Sequence, residues 1–181
     1  MPLRGKDAPN SGAPLALDVK CHMKYFDKIN SHKYLYLTDI GEPDENELRL
    51  VIEEAKASGP VEDINVGDTV IEGTRAIEST EDCAAYEVYF EDYVGYSVLN
   101  ESYVTGDDSE VLEGRIFCIY TKSHYLDYIQ NGTFATDDYP GPFKHYGFNC
   151  LNHIVDVASM SEPKIKQIRG KHLTIASNRT V

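Results

Sequence analysis

The sequence predicts an α+β fold: a mainly antiparallel sheet packed against one amphipathic helix and one short helix. Three observations predict it. Several segments alternate apolar and polar residues with the period of a strand. Most of these follow one another with no helix between them, which argues against a parallel, doubly wound sheet. One segment instead carries apolar residues at helical spacing. With 41% apolar and 26% charged residues in 181, the chain is neither collagenous, coiled-coil nor wholly disordered. It is long enough to bury a core without staples.

Residues 1–14, rich in Pro, Gly and small polar side chains, predict a disordered tail. Residues 15–176 predict a single domain, and 177–181 a frayed end. Leu15, Leu17, Val19, Met23 and Tyr25 share one strand phase, and Lys33–Thr38 reads as a second strand after a turn at Asn30–His32. Residues 43–57 read as the amphipathic helix. Pro43 suits its first turn, Asp44 and Glu47 resemble a capping box, and Leu48, Val51, Ile52 and Ala55 fall on one helical face before Gly59-Pro60.

Residues 61–68 predict a loop, and 69–79 and 84–99 predict strands. In the latter, Tyr86, Val88, Phe90, Val94, Tyr96 and Val98 keep one phase, interrupted by Asp92. The unbroken phase favours one long strand bent at Asp92 over a hairpin turning there. A polar loop follows over 100–113. Gly114–Thr121 is apolar on both faces, the pattern of a central strand. Ser123 caps a short helix over 124–131 that Asn131-Gly132 ends. Residues 145–158 alternate again, and 163–175 form a last strand or short helix.

The charge is concentrated. The chain carries a net −13; residues 42–110 hold twenty carboxylates against Arg49, Lys56 and Arg75, a net of −17. A surface so negative repels nucleic acid and anionic lipid and favours a basic protein partner. Thirteen tyrosines and no tryptophan add amphipathic contact area. The expected contact residues are Glu87, Tyr89, Glu91, Tyr93, Asp107 and Asp108. The basic residues near the C-terminus, Lys164, Lys166, Arg169 and Lys171, are expected to balance this acidity.

Catalytic signals are weak. There is no Walker A loop, GxGxxG, GxSxG or HExxH. His145, Cys150, His153 and Asp156 are zinc-ligand types at poor spacing, since Cys150 and His153 point to opposite faces of a strand. Asp92, His145, Cys150 and His153 are the candidates for a pocket at the sheet ends, with Arg115 or His145 the expected partner of a buried Asp92. No metal and no cofactor are expected.

Cys21, Cys83, Cys118 and Cys150 lack paired spacing and are read as reduced, in a cytoplasmic protein without a signal peptide or membrane span. The sequons at Asn100, Asn131 and Asn178 are then expected to stay unmodified.

The leading expectation is a small acidic interaction protein of the immunity or inhibitor type, which neutralises a basic partner. The alternatives are an enzyme or small-ligand domain using that pocket, and a homo-oligomerisation domain, for instance a homodimer through an uncovered sheet face.

Overall fold

The computed structural model describes residues 24–170. The predicted tail, the strand expected from Leu15 as far as Met23, Cys21 and the C-terminal end from residue 171 lie outside these residues. Tyr25, expected to continue that strand, and the expected turn at Asn30–His32 belong instead to a short helix, Phe26–Ser31, and its caps.

The elements are α1 (Phe26–Ser31), β1 (Tyr34–Gly41), β2 (Leu48–Val66), β3 (Thr69–Glu78), β4 (Ala85–Phe90), β5 (Tyr93–Asn100), β6 (Val111–Gly114), β7 (Phe117–Lys122), α2 (His124–Gly132), β8 (Lys144–Asn149), β9 (His153–Ser159) and β10 (Lys164–Ile168). They build two five-stranded sheets. The first runs β1-β2-β4-β10, with β3 paired to β2, and the second runs β5-β9-β8-β7-β6. Every strand pair is antiparallel. The fold is therefore α+β and mainly antiparallel.

The inner faces of the two sheets share one core. Leu35, Leu50, Ile52, Val88 and Phe90 come from the first sheet, and Phe117, Tyr146, Phe148, Val155 and Val157 from the second. Phe90 meets Tyr146 and Phe148 across it, and Phe117 stacks on Phe148 at 4.6 Å between ring centres. Such aromatic packing carries much of the burial energy.

The helix predicted over 43–57 does not exist. Pro43–Asn46 is the turn between β1 and β2, with Asn46 in the left-handed region at φ 59°, a conformation Asn tolerates. Leu48, Leu50 and Ile52 face the core. Val51, Glu53 and Ala55 on the other face are buried too. A strand buried on both faces loses its alternation, and its apolar residues then match helical spacing by coincidence.

The predicted loop at 61–68 is also strand. Val66 pairs with Thr69 across a two-residue turn, Gly67-Asp68, with Gly67 at φ 58° as a tight hairpin requires.

The 84–99 segment is neither one strand nor a hairpin. It leaves the first sheet after Phe90 and enters the second at Tyr93, where β5 pairs with β9. Residues 145–158 form a hairpin, β8–β9, rather than one strand. Its turn is held by Asn152, which brackets Leu37 through bonds to both its backbone N (3.0 Å) and O (2.9 Å). The C-terminal segment is strand, and the polar loop contains β6. The strand expected over 114–121 lies between β6 and β8, and the 124–131 helix is α2. Among the described residues no helix is long and apolar enough to cross a membrane.

Candidate functional site: an acidic, tyrosine-walled cleft

Helix α2 lies on the outer face of the second sheet. Ser123 starts it, its Oγ accepting from the Leu126 N–H at 3.0 Å, a standard N-cap. Gly95 lets the helix approach, because a Cβ there would stand 2.8 Å from the Ile129 side chain. Gly147 does the same for Tyr120, whose ring would meet a Cβ at 2.8 Å. Tyr120 can therefore lie flat and stack on His145, 4.1 Å away and within 13° of parallel. Tyr125 closes on the same imidazole at 5.0 Å.

His145 is buried, and both ring nitrogens are engaged. Nδ1 bonds the Ser123 hydroxyl at 2.8 Å, and Nε2 bonds Asp156 Oδ1 at 2.9 Å. The Ser97 hydroxyl donates to the other Asp156 oxygen at 3.4 Å. This chain ties α2, β8, β9 and β5 together. Burial, with Asp156 adding its charge, holds the Tyr125 phenol well above its ordinary value. Burial does the same to Tyr120, with help from Cys118 and Asp156.

Above this floor opens a cleft of about 690 Å³, walled by Tyr120, Tyr125 and Tyr128. Glu101, Asp107, Asp108 and Glu110 also line it, and no Lys or Arg among the described residues does. The 104–110 segment is tied to the start of α2. Glu110 Oε1 accepts from the His124 backbone N–H at 2.9 Å, and Asp107 Oδ2 meets His124 Nε2 at 2.7 Å.

That last pair raises His124, first through the hydrogen bond to Asp107, then through the charges of Asp107, Glu110 and Asp127. It lowers Asp107, whose carboxylate also accepts from Ser109. A raised histidine contributes most below its ordinary 6.5 and loses its contribution as pH rises through the folded value; a lowered aspartate loses its own only in strong acid. The His124 ring, followed by NMR, should titrate above 6.5, and Asp107→Asn should bring its midpoint down. A wild-type midpoint at or below the ordinary value would mean that the tie is not formed in solution.

The sequence candidates scatter. Only His145 of the proposed catalytic four enters the cleft. Asp92 is exposed, not buried, where the chain crosses between sheets; its backbone O, not its carboxylate, is engaged, by Ser159 and Met160. It has no need of the partner expected for it, and Arg115 is bound instead to the backbone carbonyls of His32 and Lys33. Cys150 faces the core, where burial pushes its thiol up to about 12. His153 begins β9, beside Asn100, with its Nδ1 buried and unbonded. Among the described residues no three His, Cys, Asp or Glu converge as metal ligands.

The expected contact surface divides. Asp107 and Asp108 line the cleft. Glu87 is engaged by Arg49 (2.8 Å) and Lys166 (2.7 Å), Glu91 by Lys164, and Tyr93 by Glu42 (2.9 Å). Hydrogen bonding to Glu47 raises Tyr89. Glu87 and Glu91 are thus paired with basic residues of their own sheet, whereas of the cleft's Glu101, Asp107, Asp108 and Glu110 only Asp107 has an ion-pair partner among the described residues, His124.

Ser123, His145 and Asp156 are the residue types of a hydrolase triad, but the arrangement does not suit one. Ser123 is 2% exposed, and its oxygen already caps a helix. A nucleophile must reach substrate. Cys118 offers no substitute, since burial pushes its thiol to about 11 and the reactive form is the thiolate. Cys83, Cys118 and Cys150 are all unpaired thiols. What the cleft presents is carboxylate and aromatic surface, the chemistry that receives cations.

No protein family, curated protein or solved structure matches this chain.

Proposed function

We propose that this protein is an interaction module that binds a basic protein partner, in the manner of an immunity or inhibitor protein, with the cleft receiving Lys or Arg side chains. The observation that carries this reading is the cleft lining: Glu101, Asp107, Asp108 and Glu110 beside three tyrosines, without Lys or Arg among the described residues. Opposite charge steers association and selects the partner, and the tyrosines, half-buried at Tyr120 and Tyr125 and exposed at Tyr128, supply contact area at low entropy cost.

The test is capture from source-organism lysate on the wild type and on Glu101→Gln/Asp108→Asn, at low and high salt. A basic protein should be retained at low salt, released at high salt, and held about tenfold more weakly by the variant, consistent with loss of rim charges. Retention insensitive to both salt and variant would sink the charge argument.

The cleft volume favours one second reading, a small organic cation, because about 690 Å³ lies in the range of small-molecule pockets. A thermal-shift series of alkyl amines and guanidines decides it. Saturable stabilisation lost in Glu101→Gln/Asp108→Asn would favour the small ligand.

A further inference from the structure

Strand β2 outruns its sheet. Its pairing with β4 ends at Glu53 and with β1 at Ala55, and from Lys56 onward it pairs, among the described residues, only with β3. Residues 56–78 are thus a two-stranded arm, and every residue from 59 to 73 is exposed. The arm has its own bracing. Ser58 bonds Glu78 (2.9 Å), Arg75 reaches the Gly59 carbonyl (3.1 Å), and the Gly73 N–H bonds Asp63 Oδ1 (3.0 Å).

The register places Ile64 opposite Ile71 and Val66 opposite Thr69. Ile64, Val66 and Ile71 therefore share one face, and each is about half exposed. An isolated two-stranded ribbon is at best marginally stable in water, and contiguous exposed apolar side chains mark interaction surfaces. The charge says what covers this one. The arm is acidic: Glu62 shares the strand phase of Ile64 and Val66, Asp68 lies in the turn, Asp63 and Glu72 adjoin Ile64 and Ile71 in sequence, and Lys56 and Arg75 are its only basic residues. A second copy would bring the same carboxylates against them.

We propose that the β2–β3 arm is a second contact surface, which packs its Ile64–Val66–Ile71 face on an apolar, lysine- or arginine-flanked segment of the partner protein. This rests on the reading that the partner is basic, but not on the cleft.

The experiment uses the full chain and two ten-residue peptides, alternating Lys-Val and alternating Glu-Val, with backbone amides followed by NMR. The Lys-Val peptide should shift amides of 61–72, and the Glu-Val peptide should not. Ile64→Thr/Ile71→Thr, which keeps β-branching, should weaken Lys-Val binding at least tenfold without changing the melting temperature. The Glu101→Gln/Asp108→Asn variant should leave the arm shifts in place. Shifts confined to cleft residues would overturn the arm proposal and leave the cleft reading standing. Shifts nowhere would overturn the arm proposal and count against a basic partner at either surface. Concentration-dependent dimerisation in the ultracentrifuge, abolished by the arm variant, would overturn it in favour of a second copy.

Discussion

Replacing His145 by alanine should cost about 3–5 kcal/mol of folding stability, the range for breaking a buried hydrogen-bonded pair or emptying an aromatic-sized site. Three losses coincide there. Asp156 loses its 2.9 Å bond from Nε2, and Ser97 at 3.4 Å becomes its remaining side-chain partner. Ser123 loses the imidazole and keeps, among the described residues, only its capping bond to Leu126. The space between Tyr120 and Tyr125 loses the ring on which both pack. Urea denaturation measures the change. The cleft should loosen with it, so Tyr120 and Tyr125 ring resonances should broaden or shift. A loss below about 0.5 kcal/mol, typical of an ordinary surface change, would mean that the network does not hold α2 to the sheet.

How far this site was legible in the sequence depends on where a residue's neighbours lie. His145, Asp156, Asp107 and Asp108 were visible as residue types. Their convergence was not, because the His145–Asp156 contact depends on the β8–β9 hairpin and Asp107 and Asp108 reach the cleft on a loop tied to the start of α2. One signal for that hairpin was present. Tyr146, Phe148 and Cys150 are apolar at even positions, while Leu151, Val155 and Val157 are apolar at odd ones. A change of phase within an alternating run marks a turn even without Gly or Pro. The 84–99 run shows the converse. Tyr86, Val88 and Phe90 in one sheet and Tyr96 in the other keep one phase and pack on the same core, while Tyr93, also against that core, falls out of phase at the β5 bulge between Tyr93 and Gly95. A sheet-to-sheet crossing that preserves the inward phase leaves little mark in the pattern.

The helix misread over 43–57 has a third cause, burial on both faces. The short helix after Ser123 was legible because its cap and its Asn-Gly end are local signals. Tyr120 and Tyr125 were missed as cleft walls because stacking on His145 depends on Gly147, across the sheet. The balancing role of Lys164 and Lys166 was legible from charge alone, and their pairing with Glu91 and Glu87 is what divides the expected contact surface.

Gly114→Ala should be as damaging as the loss of His145, about 4 kcal/mol if backbone strain and overpacking add. Gly114 ends β6 at φ 97°, beyond the left-handed region that other residues visit. A Cβ would be driven into the Phe117 carbonyl and would stand 3.1 Å from the Phe26 ring. That carbonyl cannot retreat freely. Asn30 binds it through Nδ2 at 2.9 Å, while Asn30 Oδ1 accepts from the backbone N–H groups of Arg115, Ile116 and Phe117. One asparagine thus gathers the turn between β6 and β7, and Phe117 beyond it stacks on Phe148 in the core. Displacing the carbonyl disturbs the turn and the stack together.

Gly67→Ala is the matched control. Its φ is also positive, but nothing lies within 4 Å of its Cβ, so it should cost only about 1 kcal/mol, the conformational share alone. Denaturation of both variants separates strain from collision. Equal, small losses would show that the turn yields, and that Asn30 does not fix it.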